Sequence, residues 1–234
     1  MNNNQQDIIQ CISEIYSFSN ELEIKTYFWG GFVQDIIEGK ILREHGDIDL
    51  FMENMDMKIN SLLDLFKNNE YICSYHDDIQ MLNLEKNNVK VTINPIIFKN
   101  ETAIWKHIGN EGFICFPKEW LDIEYRNFYG INVLTSGCKF EYCIKSIIKY
   151  MNPNWTNKIR EKDILAKEYY CKKLFEKNIR VEELMEKIWA YNPFWFKEGY
   201  NGYEAPILVI GKDYKPEFTN EVLEKVGKYI DRVK

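Results

Sequence analysis

A chain of 234 residues, 45% of them apolar, is long enough to bury one large core or two joined lobes. Its net charge of −6 and pI near 5.3 disfavour a nonspecific nucleic-acid surface and suit a cleft for cationic small molecules. No run approaches the roughly 20 apolar residues that span a bilayer, and the opening MNNNQQD lacks the basic and apolar regions of a signal peptide, so a cytoplasmic protein is expected.

Residues 7–18 carry Ile8, Ile9, Ile12, Ile15 and Tyr16 at helical spacing, a first amphipathic helix. Tyr27, Phe28 and Trp29 form a short apolar strand that ends in Gly30-Gly31. Phe32, Val33, Ile36 and Ile37 then repeat helically up to Glu38, with Asp35 read as a residue of that helix's surface. Lys40 to Glu44 is a polar loop before a strand over Asp47–Met52. Lys58–Asn68 is a helix, Tyr71–Tyr75 and Ile79–Leu84 are short strands, and Lys86-Asn87-Asn88 turns the chain into a strand over Val89–Phe98. Gly109 to Gly130 reads as loop-rich, and Val133–Leu134 closes a first lobe. From Ser136 the pattern becomes helical through Phe140, Cys143, Ile144, Ile147, Ile148 and Met151. Pro153 breaks it and Ile159–Lys177 resumes it. A helix over 181–190, a strand Ile207–Ile210 and a last helix from about Asn220 complete the chain. The expected class is α+β, with a mixed-sheet domain at 1–135 and a mainly helical domain with an aromatic-rich tail at 136–234. Cys11, Cys73, Cys115, Cys138, Cys143 and Cys171 lack CxxC spacing and read as buried reduced thiols, neither zinc ligands nor disulfides.

Chemistry concentrates between Tyr27 and Leu50. A turn without side chains at a helix N-terminus lets a phosphate approach backbone N–H groups, where the helix dipole favours negative charge. Asp47 and Asp49, two apart in a strand, leave the sheet on one face while Ile48 and Leu50 enter the core. Paired carboxylates are unfavourable unless a cation joins them, and oxygen ligands favour Mg²⁺ held together with substrate phosphates. Arg43 is suited to neutralising triphosphate charge. His45 is suited to orienting the loop or a carboxylate.

Gly30-Gly31, Asp35, Gly39 and the run Arg43-x-His45-x-Asp47-Ile48-Asp49-Leu50 together resemble the signature of the aminoglycoside and lincosamide nucleotidyltransferases, within the polymerase β-like nucleotidyltransferase superfamily. A fainter similarity runs through Pro117-Lys118-Glu119-Trp120 to Arg160-x-x-Asp163. The resemblance implies a polymerase β-like lobe, a helical second lobe and an active cleft between them. It implies transfer of a nucleoside monophosphate, with ATP the expected donor, to a hydroxyl of a small molecule. Asp47 and Asp49 would be the catalytic metal ligands, Mg²⁺ the cofactor, and Gly30, Gly31, Arg43 and His45 the nucleotide contacts. Two metal ions about 3.5–4 Å apart would stabilise the attacking and leaving oxygens.

The pattern departs from the family at one place. A third carboxylate is expected on a later strand, within a V-D-x-H-P-like run, and the matching stretch here is Val91-Thr92-Ile93-Asn94-Pro95. Thr92 stands where the Asp is expected and Asn94 where the His is. A threonine hydroxyl cannot take a proton near neutral pH, so either Glu85, Asp77 or Asp78 replaces it or transfer is slow or lost. The alternative function is accordingly a nucleotide-binding module without transferase activity, such as an antitoxin-like partner; polynucleotide tailing fits the acidic pI poorly. In the second lobe Lys145, Lys149, Arg160, Lys162 and Asp163 match the family's phosphate and acceptor region, or form a solvated helix face. Trp189, Tyr191, Phe194, Trp195, Phe196, Tyr200 and Tyr203 are read as core packing or as a stacking surface.

Overall fold

A computed structural model describes residues 3–77, 80–106, 113–151 and 161–191. They divide into two compact units: Met1–Ile97 with Leu121–Gly137, and Phe98–Trp120 with Cys138–Lys234. The division differs from the expected 1–135 and 136–234 because the segment 98–120 belongs with the second unit. That segment's described residues form β6 (Thr102–Lys106) and β7 (Phe113–Pro117), an antiparallel pair, followed by a 3₁₀ turn at Lys118–Trp120, so the passage Gly109 to Gly130, expected to be loop-rich, contains a strand.

The first unit is a mixed sheet with helices. In chain order it holds α1 (Asn3–Glu21), β1 (Thr26–Trp29), α2 (Gly31–Glu38), β2 (Ile48–Glu53), α3 (Met55–Asn68), β3 (Ile72–His76), β4 (Met81–Lys86) and β5 (Val89–Lys99). Then come β8 (Arg126–Phe128) and β9 (Ile131–Thr135). The strand order is β3-β4-β5-β2-β1-β9-β8. β2 runs parallel to β5, and β9 parallel to β1; the other pairs are antiparallel. Asn87 and Asn88, both at positive φ, turn β4 into β5 as the Lys-Asn-Asn run suggests.

Alternation gives the sheet two unlike faces. Phe28, Ile48, Leu50, Leu82, Val91 and Ile93 point one way and are almost fully buried. The Phe28 ring meets Tyr16 of α1 and Phe32 of α2, so this is the helix-covered face. Tyr16 ties α1 to two strands at once: its hydroxyl donates to the Thr26 carbonyl at 2.9 Å and accepts the Leu134 N–H at 3.2 Å. The opposite face carries Trp29, Asp49, Phe51, Thr92 and Asn94 by the same parity and register. It is the face with chemistry on it.

The second unit contains, among its described residues, the antiparallel strands β10-β7-β6 and the helices α4 (Gly137–Met151), α5 (Glu161–Phe175) and α6 (Val181–Met185). β10 (Trp189–Tyr191) pairs with β7, so the expected helix over 181–190 stops after one turn and gives way to a β-branched and aromatic run, Ile188 to Tyr191, that extends along β7. The strand expected at Ile207–Ile210, the last helix and the aromatics beyond Tyr191 lie outside the described residues. None of the six cysteines is in a disulfide; Cys11, Cys115 and Cys143 are buried, and Cys73, Cys138 and Cys171 are only half-buried. No helix among the described residues is long and apolar enough to cross a membrane.

Candidate active site

The turn between β1 and α2 is where the candidate residues gather. Gly30 has φ 76° and ψ −135°, a conformation that a side chain resists, and Gly31 begins α2. Register sets Trp29 opposite Asp49, so the glycine turn lies at the level of that carboxylate. A Cβ on Gly30 would come within 2.8 Å of Asp49 Oδ2. One on Gly31 would come within 2.8 Å of Arg43 Nη2 and 3.2 Å of His45 Nδ1. A carboxylate, a guanidinium and an imidazole thus converge on backbone left bare by two glycines.

Asp47 lies two residues before Asp49. It is exposed and precedes β2, which begins at Ile48 and not at Asp47 as expected. It lines a small cavity together with His45, Gly46, Asn88 and Lys90. Asp49 is half-buried inside the strand.

Parallel pairing with β5 sets Thr92 directly beside Asp49 on the same face. Thr92 Oγ1 donates to Asn83 Oδ1 at 3.3 Å, from the residue across from it on β4. Further along that face of β5, Asn94 is buried, and its Nδ2 finds no hydrogen-bond acceptor. The carboxylates considered as substitutes are not next to Asp49. Glu85 is on β4, two strands from β2, about 10 Å at the usual strand spacing. Asp77 is exposed beyond β3, and Asp78 lies outside the described residues. Among the described residues no three His, Cys, Asp or Glu side chains converge as a metal cage.

Asp35 is the residue that sequence reasoning misplaced. It is 1% exposed, and its Oδ2 accepts the Leu42 N–H at 3.1 Å and His45 Nε2–H at 2.7 Å. Phe32 stacks on the imidazole with centroids 4.0 Å apart. The signal was in the spacing: position 35 is three residues from Phe32 and next to Ile36, on the buried side of α2. In the second unit, Lys145 and Asp163 form a largely buried ion pair at 3.3 Å and are not a solvated face. Arg160 and the Lys149 side chain lie outside what is described.

The family model for aminoglycoside-2''-adenylyltransferases matches residues 11–134, more than half of the chain, and spans every residue of this turn and its neighbouring strands. The chain belongs to this family. Its fold is the polymerase β-like nucleotidyltransferase fold, shared with solved relatives at low identity. The solution structure of the antibiotic-resistance factor ANT(2'')-Ia is 17% identical, with a TM-score of 0.60 over 76% of this chain and 89% of that one. The crystal structure of ANT(2'')-Ia with adenylyl-2''-tobramycin gives 17% identity and 0.59, over 76% and 94%. The lincosamide adenylyltransferase LnuA, bound to lincomycin, gives 15% and 0.51 over 68% and 93%. No curated sequence matches the chain. The matched residues include Gly30, Gly31, Asp47 and Asp49, with Thr92 beside Asp49.

Proposed function

We propose that this chain transfers a nucleoside monophosphate, AMP from ATP, to a hydroxyl of an aminoglycoside- or lincosamide-like small molecule. The observation that carries the reading is the convergence of Asp49, Arg43 and His45 on the Gly30–Gly31 turn. The turn's N–H groups and the Arg43 guanidinium receive the triphosphate, and the α2 dipole adds to their attraction. Asp49 and Asp47 supply oxygen ligands for Mg²⁺. Among the described residues no third His, Cys, Asp or Glu joins these carboxylates in a metal cage, which fits a cation that arrives with its own ligands, as the Mg²⁺–triphosphate complex does. When bound, the metal lowers the charge on the phosphates and on the oxygens entering and leaving phosphorus. The chain's own part is positioning, which is most of what in-line phosphoryl chemistry requires.

Pyrophosphate release from Mg²⁺–ATP, measured across a panel of aminoglycosides and lincosamides with Asp49→Asn as control, tests the reading. Release that needs both an acceptor and Asp49 supports it. Absence of ATP binding sinks it.

One observation favours a second reading, a nucleotide-binding module with little or no transfer: Thr92 is level with Asp49 and bonded to Asn83, where a carboxylate base would be needed. ATP binding without release with any acceptor would select this reading.

A further inference from the structure

Arg43 reaches the glycine turn from an exposed loop, and a freely rotating arginine on such a loop would not stay there unaided. The loop is held at two points by one atom. Asp35 Oδ2 accepts the Leu42 N–H at 3.1 Å and His45 Nε2–H at 2.7 Å, and these donors lie on either side of Arg43 in the chain. Both side chains of the pair are buried, His45 at 3% and Asp35 at 1% exposure. The imidazole cannot swing away because Phe32 stacks against it. A buried carboxylate oxygen bound by two donors is a strong anchor, since neither donor can leave without stranding a desolvated charge.

What the anchor displays is a cation. Arg43 Nη1 donates to the Glu44 carbonyl at 3.1 Å, which leaves Nη2 as the nitrogen that faces Gly31. Among the described residues Arg43 has no carboxylate within ion-pair distance. A fixed guanidinium without an anion, beside a glycine at the start of a helix, is arranged for an anionic ligand.

We infer that Asp35 is a positioning residue for the triphosphate: it clamps the Leu42–His45 loop and thereby sets Arg43 against the Gly30–Gly31 turn. The inference rests on the proposed reading that the triphosphate binds at this turn. Asp35 touches no substrate and acts through Arg43 alone.

A double-mutant cycle separates this role from ordinary structural support. Kd for Mg²⁺–ATP is measured by calorimetry on the full-length wild type, Asp35→Asn, Arg43→Ala and the double variant, with thermal melts to establish that each is folded. Asparagine keeps the size but loses the charge and turns an NH₂ toward donors. Asp35→Asn should weaken ATP binding about tenfold, the worth of one well-placed charged hydrogen bond. With Arg43 already replaced, the same substitution should change Kd by less than about twofold, because the group it positions is gone. Where turnover is measurable the change sits in KM for ATP, with kcat held within about threefold. If Asp35→Asn does not fold, Leu42→Pro takes its place in the cycle, since it deletes one donor from a residue that is 42% exposed. Unchanged affinity, fully additive losses, or a loss in kcat with KM unaltered would overturn the inference. A wild type that does not bind ATP would instead refute the proposed function, and this inference with it.

Discussion

Alanine at Gly30 and alanine at Gly31 should fail in different ways, although the residues are adjacent. At Gly30, φ 76° and ψ −135° lie in territory open to little but glycine, and forcing another residue there costs on the order of 1–3 kcal/mol. The new Cβ would also come 2.8 Å from Asp49 Oδ2, an atom on a short side chain anchored in β2. Both effects together suggest a loss of about 2–4 kcal/mol, near the upper range for one substitution. For a chain of this size that lowers Tm by roughly 5–15 °C. Gly31 is helical and is not at positive φ. Its Cβ would meet the ends of two side chains: Arg43 Nη2 at 2.8 Å, which can move, and His45 Nδ1 at 3.2 Å, which needs only a few tenths of an ångström. Alanine in a helix also returns up to about 1 kcal/mol relative to glycine. Gly31→Ala should therefore melt within about 3 °C of the wild type. The methyl nevertheless takes the ground on which the guanidinium rests, so Mg²⁺–ATP affinity should fall about tenfold, the scale of one charged hydrogen bond. Calorimetric melting and ATP titration of both variants give the four numbers needed. Gly30→Ala melting within 2 °C of the wild type, or Gly31→Ala binding ATP unchanged, would refute the geometry argued for this turn.

Three further outcomes follow from the same structure. Thr92→Asp should raise the rate of acceptor-dependent pyrophosphate release, by up to about 10²–10⁴-fold if a missing general base is what limits the wild type; an unchanged rate would show that the base comes from elsewhere. Burial tends to raise the Glu14 pKa, but hydrogen bonds from Lys86, Gln10 and Tyr71, with the Lys86 charge, outweigh it and hold the carboxyl below its ordinary 4.5. Its contribution is thus present above that value and lost as pH falls through the lowered one, so Glu14→Gln should cost stability at pH 7 and make acid unfolding less steep; equal losses at pH 7 and pH 3 in denaturant titrations would contradict this. Burial pushes the Cys11 thiol up to about 11 and those of Cys115 and Cys143 clearly upward, so brief iodoacetamide treatment of the native protein at pH 8 should leave these three unmodified by mass spectrometry, and modification of Cys143 as fast as half-buried Cys171 would refute that.

The parts of the fold legible in the sequence are those that local chemistry encodes. Apolar alternation and turn residues located β2, β5 and α3 to within a few residues, and the Asn87-Asn88 turn follows from the tolerance of asparagine for positive φ. β6 and β7 were harder. Aromatic residues and the proline at 117 make Gly109–Gly130 look like loop, and pairing with neighbouring strands is what makes Thr102–Lys106 and Phe113–Pro117 strands. β10 is three residues long, too short for a period to be read. Asp35 was missed for a different reason: a carboxylate on a helix is normally solvated, and its burial depends on His45 and Leu42, ten and seven residues ahead, folding back onto it.

The candidate site shows how far a period of two can be taken. It assigns Asp47 and Asp49 to one side of the sheet but is silent about depth. Asp49 lies within β2, level with Thr92 on one side and Trp29 on the other, half-buried beneath the glycine turn. Asp47 precedes the strand and is exposed. On the proposed reading the two carboxylates are therefore unequal. Water screens the charge of Asp47 and leaves its side chain free to follow an incoming ligand. Asp49 is held within 2.8 Å of where a Cβ on Gly30 would lie, so its charge acts through a shorter path and a lower effective dielectric on whatever the turn binds. An anionic triphosphate would be repelled by Asp49 unless a cation came with it, and Arg43, which approaches the adjacent Gly31, reduces that repulsion. On the same reading Thr92 acts in the same direction: with a hydroxyl and not a carboxylate beside Asp49, the turn can accept the triphosphate with less opposing charge, while that position offers no carboxylate to take the acceptor's proton.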